Sequence, residues 1–197
     1  MNALLLLAAS QGPKTAGLPT LEEVRRGIDR GTALLLREQN KDGSWGGPRN
    51  KTFTDSFANP ETHHAWAVAT TGLVCVALLE RGESPEAGAA LERGLDYLLA
   101  NADLDRPDDW DIDNTWGFIY GLDALARALL SPRFANSPRR EALRSGAAQY
   151  LDGMARYQSP NGGWGYYADA EAAWLPEWAT SFTSAAGAIA LVDARKA

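Results

Sequence analysis

Residues 39–45 read QNKDGSW, and residues 158–164 read QSPNGGW. Both heptapeptides have the pattern Gln-x-x-x-Gly-x-Trp, and each follows a stretch rich in Ala and Leu. A signature that recurs after the same kind of segment is typical of a chain built from structural repeats. The shared positions are Gln39, Gly43 and Trp45 in the first copy and Gln158, Gly162 and Trp164 in the second.

The segments around these heptapeptides have helical periodicity. Between residues 21 and 39, apolar side chains recur every three or four positions with charged residues between them, which predicts an amphipathic helix capped by Thr20. Residues 64–81 are apolar on nearly all sides, which predicts a buried helix that ends at Gly82. An amphipathic helix followed by an apolar one is predicted twice more, over 85–101 with 115–130 and over 138–158 with 178–194.

This alternation predicts two layers of helices. Amphipathic first helices favour an outer, solvent-facing layer, and apolar second helices favour an inner, buried one. A glycine lies inside each second helix, at Gly72, Gly121 and Gly187. Since glycine costs a helix about 1 kcal/mol relative to alanine, these positions indicate close helix approach. The predicted fold class is all-α, a partial α/α toroid of three helical hairpins with outer amphipathic and inner apolar helices. The predicted repeats span residues 21–82, 84–131 and 137–195 of a single domain, 21–197.

The N-terminal segment, residues 1–20, is apolar from Ala3 to Ala9 and then small or polar. This pattern resembles part of a secretory signal peptide, although no basic residue precedes the apolar stretch. The sequence leaves a secreted or periplasmic location open beside a cytoplasmic one in which this segment is simply a frayed start. No segment is predicted to span a membrane, because none is long and apolar enough.

The composition excludes several classes of protein. The formal net charge is −6, which argues against a nucleic-acid partner because phosphate binding requires a basic surface. The single cysteine, Cys75, excludes an intrachain disulfide and a multi-cysteine zinc site. His63 and His64 are adjacent, so they point to different faces of the predicted helix. Neither a metal site nor a cofactor is predicted.

The two heptapeptides, the Ala/Leu-rich helix before each and the apolar helix after each resemble the repeats of squalene–hopene cyclases. These belong to the terpenoid cyclase and protein prenyltransferase α/α-toroid superfamily, with prenyltransferase/squalene-oxidase repeat proteins as wider relatives. The resemblance extends from about Leu21 to Ala194, but the second repeat lacks the motif and reads NADLDRPDDW over residues 101–110. A whole ring in this superfamily has roughly twice as many hairpins. The resemblance therefore implies about half a toroid, which is a fragment or a chain that pairs with a missing half or with itself.

The same resemblance implies a role for the heptapeptides. In the family, the glutamine of the motif is held to bind backbone at the start of the following inner helix while the tryptophan stacks over it. Such a role is physically reasonable, because helix ends need hydrogen-bond partners and an indole supplies a large rigid contact surface. We therefore expect Gln39 with Trp45, and Gln158 with Trp164, to be structural clamps.

Residues 111–116, DIDNTW, resemble the Asp-x-Asp-Asp-Thr-Ala motif with which class II terpene cyclases protonate an alkene. By this resemblance Asp113 matches the middle, protonated acid, Asp111 the first acid and Thr115 the threonine. The fourth and sixth positions of the stretch depart from the motif. An aspartate ahead of a helix is also an ordinary N-cap, and the sequence leaves both interpretations open.

Aromatic and polar residues gather at the starts of the predicted inner helices. In toroids these ends line the central cavity, where aromatic faces hold an apolar ligand or stabilise carbocations. The alternative is that the seven tryptophans fill gaps between helices. The predicted lining residues are His64, Trp66, Thr115, Trp116, Phe118, Trp178 and Phe182.

These observations support three hypotheses about function. The first is a cyclase-like repeat protein without catalytic activity, which binds an apolar or isoprenoid ligand or acts as a scaffold. The second is a class II terpene cyclase, an isomerase that protonates a polyprene with Asp113. The third is a secreted protein-interaction module, which the apolar N-terminal stretch favours.

Overall fold

The computed structural model describes residues 18–46, 60–82, 84–104, 114–166 and 179–197. Within these ranges the chain is helical and contains no strand, which confirms the all-α prediction. The elements are α1 (Leu21–Arg37), α2 (Pro60–Arg81), α3 (Pro85–Ala100), α4 (Asn114–Leu130), a 3-10 helix (Pro132–Phe134), α5 (Arg140–Arg156) and α6 (Ser181–Lys196).

Local sequence signals set the ends of several helices. The Thr20 hydroxyl accepts a hydrogen bond from the Glu23 N–H at 3.2 Å, and the Glu23 carboxylate accepts one from the Thr20 N–H at 2.8 Å. This capping box begins α1, and its hydrogen bonds lower the pKa of Glu23. Ser84 caps α3 in a similar way, with its hydroxyl 3.1 Å from the Ala87 nitrogen. Gly82, just after α2, has a φ of 87°, as expected for a glycine that ends a helix.

The start of α5 differs from the prediction. The sequence Ser137-Pro138 predicts a helix start, but the structure has a turn there, in which the Ser137 carbonyl accepts from the Arg140 N–H at 3.1 Å. The helix begins at Arg140. The Ser137 hydroxyl accepts from the Arg139 N–H at 3.2 Å, so serine stabilises the turn and not the helix end.

The helices form two layers. In one layer α2, α4 and α6 pack side by side with α4 in the middle, and in the other α1, α3 and α5 do so with α3 in the middle. Thirteen residues of α4 are buried, whereas α1 buries none. The predicted burial of the apolar helices therefore describes α4 well and α6 poorly, because α6 buries only Thr183, Gly187 and Ala190.

The core lies between the two layers. Most of its fully buried large side chains come from α3, α4 and α5, and these include Leu91, Leu95, Ile119, Leu122, Leu143 and Met154. Tyr150 is also fully buried, and its hydroxyl donates to the Leu98 carbonyl at 2.8 Å. Burial raises the pKa of this phenol. Cys75 is buried as predicted, and burial raises the pKa of its thiol.

The three glycines of the inner helices serve two different purposes. A Cβ on Gly72 would lie 2.4 Å from the Tyr120 carbonyl oxygen, so this glycine lets α2 approach the backbone of α4 closely. A Cβ on Gly121 would instead meet the Tyr150 ring at 2.4 Å, and one on Gly187 would meet the Trp164 ring at 3.0 Å. The expectation of close helix approach is thus right for Gly72, while the other two make room for aromatic rings.

No helix in the described part of the chain combines the length and apolarity needed to cross a bilayer. Residues 1–17, which make up most of the predicted N-terminal segment, lie outside the described residues.

Candidate functional site

The two Gln-x-x-x-Gly-x-Trp segments fold into the same loop. The side-chain amide of Gln39 donates to the Gly43 carbonyl at 2.9 Å, and that of Gln158 donates to the Gly162 carbonyl at 2.7 Å. Gly43 and Gly162 have φ angles of 92° and 89°. Only glycine adopts this backbone conformation readily, which explains its place in the motif.

Trp45 is held from two sides in the first loop. Its indole Nε1 donates to the Leu35 carbonyl of α1 at 2.7 Å, and its backbone N–H donates to the Thr71 hydroxyl of α2 at 2.9 Å. The side chain is buried. Trp45 therefore joins the two helices of the first hairpin.

Trp164 is held in the same way in the third hairpin. Its indole Nε1 donates to the Met154 carbonyl of α5 at 2.8 Å, and its backbone N–H donates to the Ser184 hydroxyl of α6 at 3.0 Å. In both loops the indole binds a carbonyl ten residues earlier in the chain. The shared pattern is consistent with the clamp role expected for the tryptophans.

Gln39 has a different partner from the one that the cyclase resemblance implies. Its Nε2 also donates to the Ala90 carbonyl at 2.9 Å, and its Oε1 accepts from Arg93 Nε at 3.0 Å. Both partners lie in the middle of α3. Gln39 therefore joins the first outer helix to the next outer helix.

Four aromatic side chains meet where α4 and α6 begin, and we call them the aromatic cluster: Trp116, Tyr120, Tyr166 and Phe182. Trp116 stacks on Tyr120 and on Phe182, with ring centroids 5.4 Å and 5.6 Å apart. Tyr166 meets Trp116 and Phe182 edge-on, at 6.3 Å and 5.3 Å. These are favourable geometries for aromatic pairs. Tyr166 is 37% exposed and Phe182 is 50% exposed, so the cluster forms an apolar surface.

Two members of this cluster, Trp116 and Phe182, are among the residues predicted from the sequence to line a cavity. Tyr120 is not among them, although it follows Trp116 by four positions and so lies on the same helix face. Tyr166 is not among them either, because it lies in the loop after Trp164, where no periodicity marks a surface.

Two other predicted lining residues lie in the packed core. Phe118 is buried, stacks on Tyr157 at 5.2 Å and lies against Gly153 of α5. Thr115 is fully buried, and among the described residues its hydroxyl has no hydrogen-bond partner. Phe118 is on the side of α4 that faces α5, and neither side chain is exposed.

The remaining predicted residues are placed as follows. His64 and Trp66 are half-buried near the start of α2, and the Trp66 ring meets His63 edge-on at 5.4 Å. Asp111, Asp113 and Trp178 lie outside the described residues. The proton-donor role and the capping role of the aspartates both stay predictions.

The far ends of the inner helices carry a second feature, a charged cluster of Glu80, Asp123, Arg127 and Asp193. The Arg127 guanidinium lies 2.9 Å from Asp123 of its own helix, 3.2 Å from Glu80 of α2 and 3.2 Å from Asp193 of α6. The hydrogen bond with Asp123 is the main reason why the pKa of Arg127 is raised. An open depression of about 340 Å³ lies here, lined by Leu79, Glu80, Arg127, Leu130, Ser131 and Asp193.

Comparison with protein-family models, with curated proteins and with solved structures finds no match. Within the described ranges, no group of three His, Cys, Asp or Glu side chains is placed to hold a metal ion. The aromatic cluster and the charged cluster are therefore the observations from which a function is inferred.

Proposed function

We propose that this chain is a squalene-cyclase-like helical repeat protein that binds an apolar ligand and does not catalyse a reaction. The expected ligand class is a neutral isoprenoid or a similar hydrocarbon chain. The observation that carries the proposal is the aromatic cluster, in which Trp116 contacts the other three rings and two of them are more than a third exposed.

Physical chemistry supports an apolar ligand at this cluster. Exposed apolar patches with polar surroundings commonly mark ligand or partner sites. Covering such a patch is worth roughly 25 cal/mol for each Å² of apolar surface removed from water. Aromatic rings that already stack on one another lose little conformational freedom when a ligand covers them.

The charged cluster supports a neutral ligand over an anionic one. Arg127 lies about 16 Å further along α4 than Trp116, at 1.5 Å per residue. Its guanidinium is surrounded by the carboxylates of Asp123, Glu80 and Asp193. Because this cation is already neutralised, it has little to offer a pyrophosphate or carboxylate head group.

A titration with farnesol, followed by tryptophan fluorescence, tests the proposal. We expect saturable binding that weakens about fivefold to tenfold in Phe182→Ala, since an aromatic contact contributes about 1 kcal/mol. The matched control is Val192→Ala, because Val192 is also on α6 and is 47% exposed but lies outside the cluster. A wild-type chain without saturable binding, or equal losses in both variants, would contradict the proposal.

The cyclase alternative has its own test. The purified chain is incubated with squalene, and the products are analysed for cyclised hydrocarbons. Cyclised products that disappear in Asp113→Asn would replace the proposed binding function by an enzymatic one. Detection of a cleaved N-terminus in the native host would support the third hypothesis, a secreted interaction module.

A further inference from the structure

The first and third hairpins carry the same loop, but within the described part of the chain only the first loop has a helix of another hairpin against it. Gln39 and Trp45 lie against α3, through Ala90, Arg93 and Gly94. The Gln158 side chain is exposed, and among the described residues its amide binds only within its own loop. The third loop thus keeps one side open at the position where α3 covers the first.

The inner helices show the same difference. Cys75 follows Thr71 by one helical turn and is completely buried. In the third hairpin, Ser184 is the counterpart of Thr71, because its hydroxyl accepts from the Trp164 N–H as that of Thr71 accepts from the Trp45 N–H. Ala188 follows Ser184 by one helical turn, as Cys75 follows Thr71, but Ala188 is exposed. The open side of the third hairpin therefore extends from its loop onto α6.

Helix α1 lacks a neighbour on the matching side, because it exposes the face that corresponds to the buried face of α3. The two helices share a register in which Ile28-Asp29-Arg30-Gly31 matches Leu91-Glu92-Arg93-Gly94. Leu91 is 2% exposed, whereas Ile28 is 49% exposed. In the same register, Ala87 is buried and Val24 is exposed.

The glycines of the two helices make the comparison sharper. A Cβ on Gly94 would lie 2.8 Å from the Trp45 ring, so the absence of a side chain is what lets the indole lie against α3. Gly31 occupies the matching position of α1, and nothing lies within 4 Å of a Cβ placed there. Helix α1 therefore has the same recess for an indole, and no residue in the described ranges fills it.

We propose that the open side of the third hairpin binds α1 of a second copy of this chain. In this head-to-tail contact Gly31 faces Trp164 as Gly94 faces Trp45. Gln158 donates to the Gly27 carbonyl and accepts from Arg30, as Gln39 does with Ala90 and Arg93. The contact joins two different surfaces, so it builds a ring where the rotation between copies closes and a filament where it does not.

The association of the full chain is measured by sedimentation velocity over a concentration series. We expect the wild type to form dimers or larger species, and Gly31→Leu to raise the dissociation constant at least about tenfold. The new side chain occupies the recess for Trp164, yet it has open space within its own copy. The control is Ala33→Leu, which also introduces a leucine on α1 but at the position that matches the exposed Asp96.

A second variant, Gln158→Ala, tests the opposite surface and is expected to weaken association by about tenfold as well. An equimolar mixture of Gly31→Leu and Gln158→Ala should associate more strongly than either variant alone, because it contains one pair of unaltered surfaces. Three results would overturn the proposal: a wild type that stays monomeric, an effect of Gly31→Leu without one of Gln158→Ala, or an equal effect of Ala33→Leu. A monomeric wild type would mean that a different partner covers the open side of the third hairpin. An effect of Gly31→Leu alone would mean that α1 of one copy pairs with α1 of the other.

Discussion

The loops at residues 39–45 and 158–164 share the hydrogen bonds of their glutamines and indoles but have different surroundings. Each closes its glutamine onto the carbonyl of its glycine and anchors its indole to a carbonyl ten residues earlier. Among the residues that the structure describes, only the first has a helix of another hairpin against it. The motif therefore forms its own loop, and its tryptophan links the two helices of its own hairpin, whether or not a helix of another hairpin lies against the loop. The link from one hairpin to the next is a separate interaction, in which the side-chain amide of Gln39 uses its remaining hydrogen-bonding capacity to bind Ala90 and Arg93 of α3.

The largest effect is expected from removing the indoles. Trp45→Ala should lower the free energy of unfolding by about 3–5 kcal/mol, since it leaves a large cavity and an unpaired Leu35 carbonyl. Trp164→Ala should cost less, because Trp45 also contacts α3 through Gly94. Urea denaturation followed by circular dichroism measures both values. An unchanged free energy of unfolding in Trp45→Ala would reject the clamp role, and equal losses in the two variants would remove the distinction between the loops.

A second experiment exchanges the matched glycines for alanine. Gly94→Ala should destabilise the fold by roughly 1–3 kcal/mol, because the new methyl group would lie 2.7 Å from the Cys75 sulfur and 2.8 Å from the Trp45 ring. Gly31→Ala should stabilise the chain by up to about 1 kcal/mol, because alanine favours a helix and the site is open. Thermal unfolding at a low protein concentration checks the opposite signs. A loss of stability in both variants would show that α1 is already covered.

The smallest difference concerns the glutamines. Gln39→Ala should lower the free energy of unfolding by about 1–2 kcal/mol, because it removes hydrogen bonds to Ala90 and Arg93 as well as the one to Gly43. Gln158→Ala should cost less than about 1 kcal/mol in the monomer, where only the hydrogen bond to Gly162 is lost. Chemical denaturation of both variants at the same low concentration compares them. Equal losses would argue that the links to α3 contribute nothing.

Much of the fold follows from local signals in the sequence. The Thr20 cap, the glycine at 82 and the apolar periodicity of α4 each act within a few residues, so a sequence pattern captures them. The partner of Gln39 is 51 residues away in the chain. Its identity depends on how α1 and α3 pack, which no spacing within the loop reveals.

The exposure of α6 was beyond sequence reasoning for a related reason. Its apolar composition predicts burial, yet Phe182, Ile189 and Val192 are about half exposed. Periodicity reports which side chains prefer to leave water, and it does not report whether a neighbour is present to cover them. The presence or absence of a covering neighbour therefore decides which predicted residues belong to the candidate site. Phe182 is exposed and completes the aromatic surface, while the equally apolar Phe118 is buried in the core.

The two ends of the inner layer should respond differently to salts, because Arg127 and its carboxylates lie at one end and the aromatic cluster lies at the other. At its end, one guanidinium holds the carboxylates of three helices, and added salt screens such attractions. At the other end, stacked rings hold α4 to α6, and an excluded salt such as sulfate strengthens apolar contacts. Sodium chloride should therefore weaken the contacts of Arg127 with α2 and α6. Sodium sulfate should strengthen the contact between α4 and α6 at the aromatic cluster.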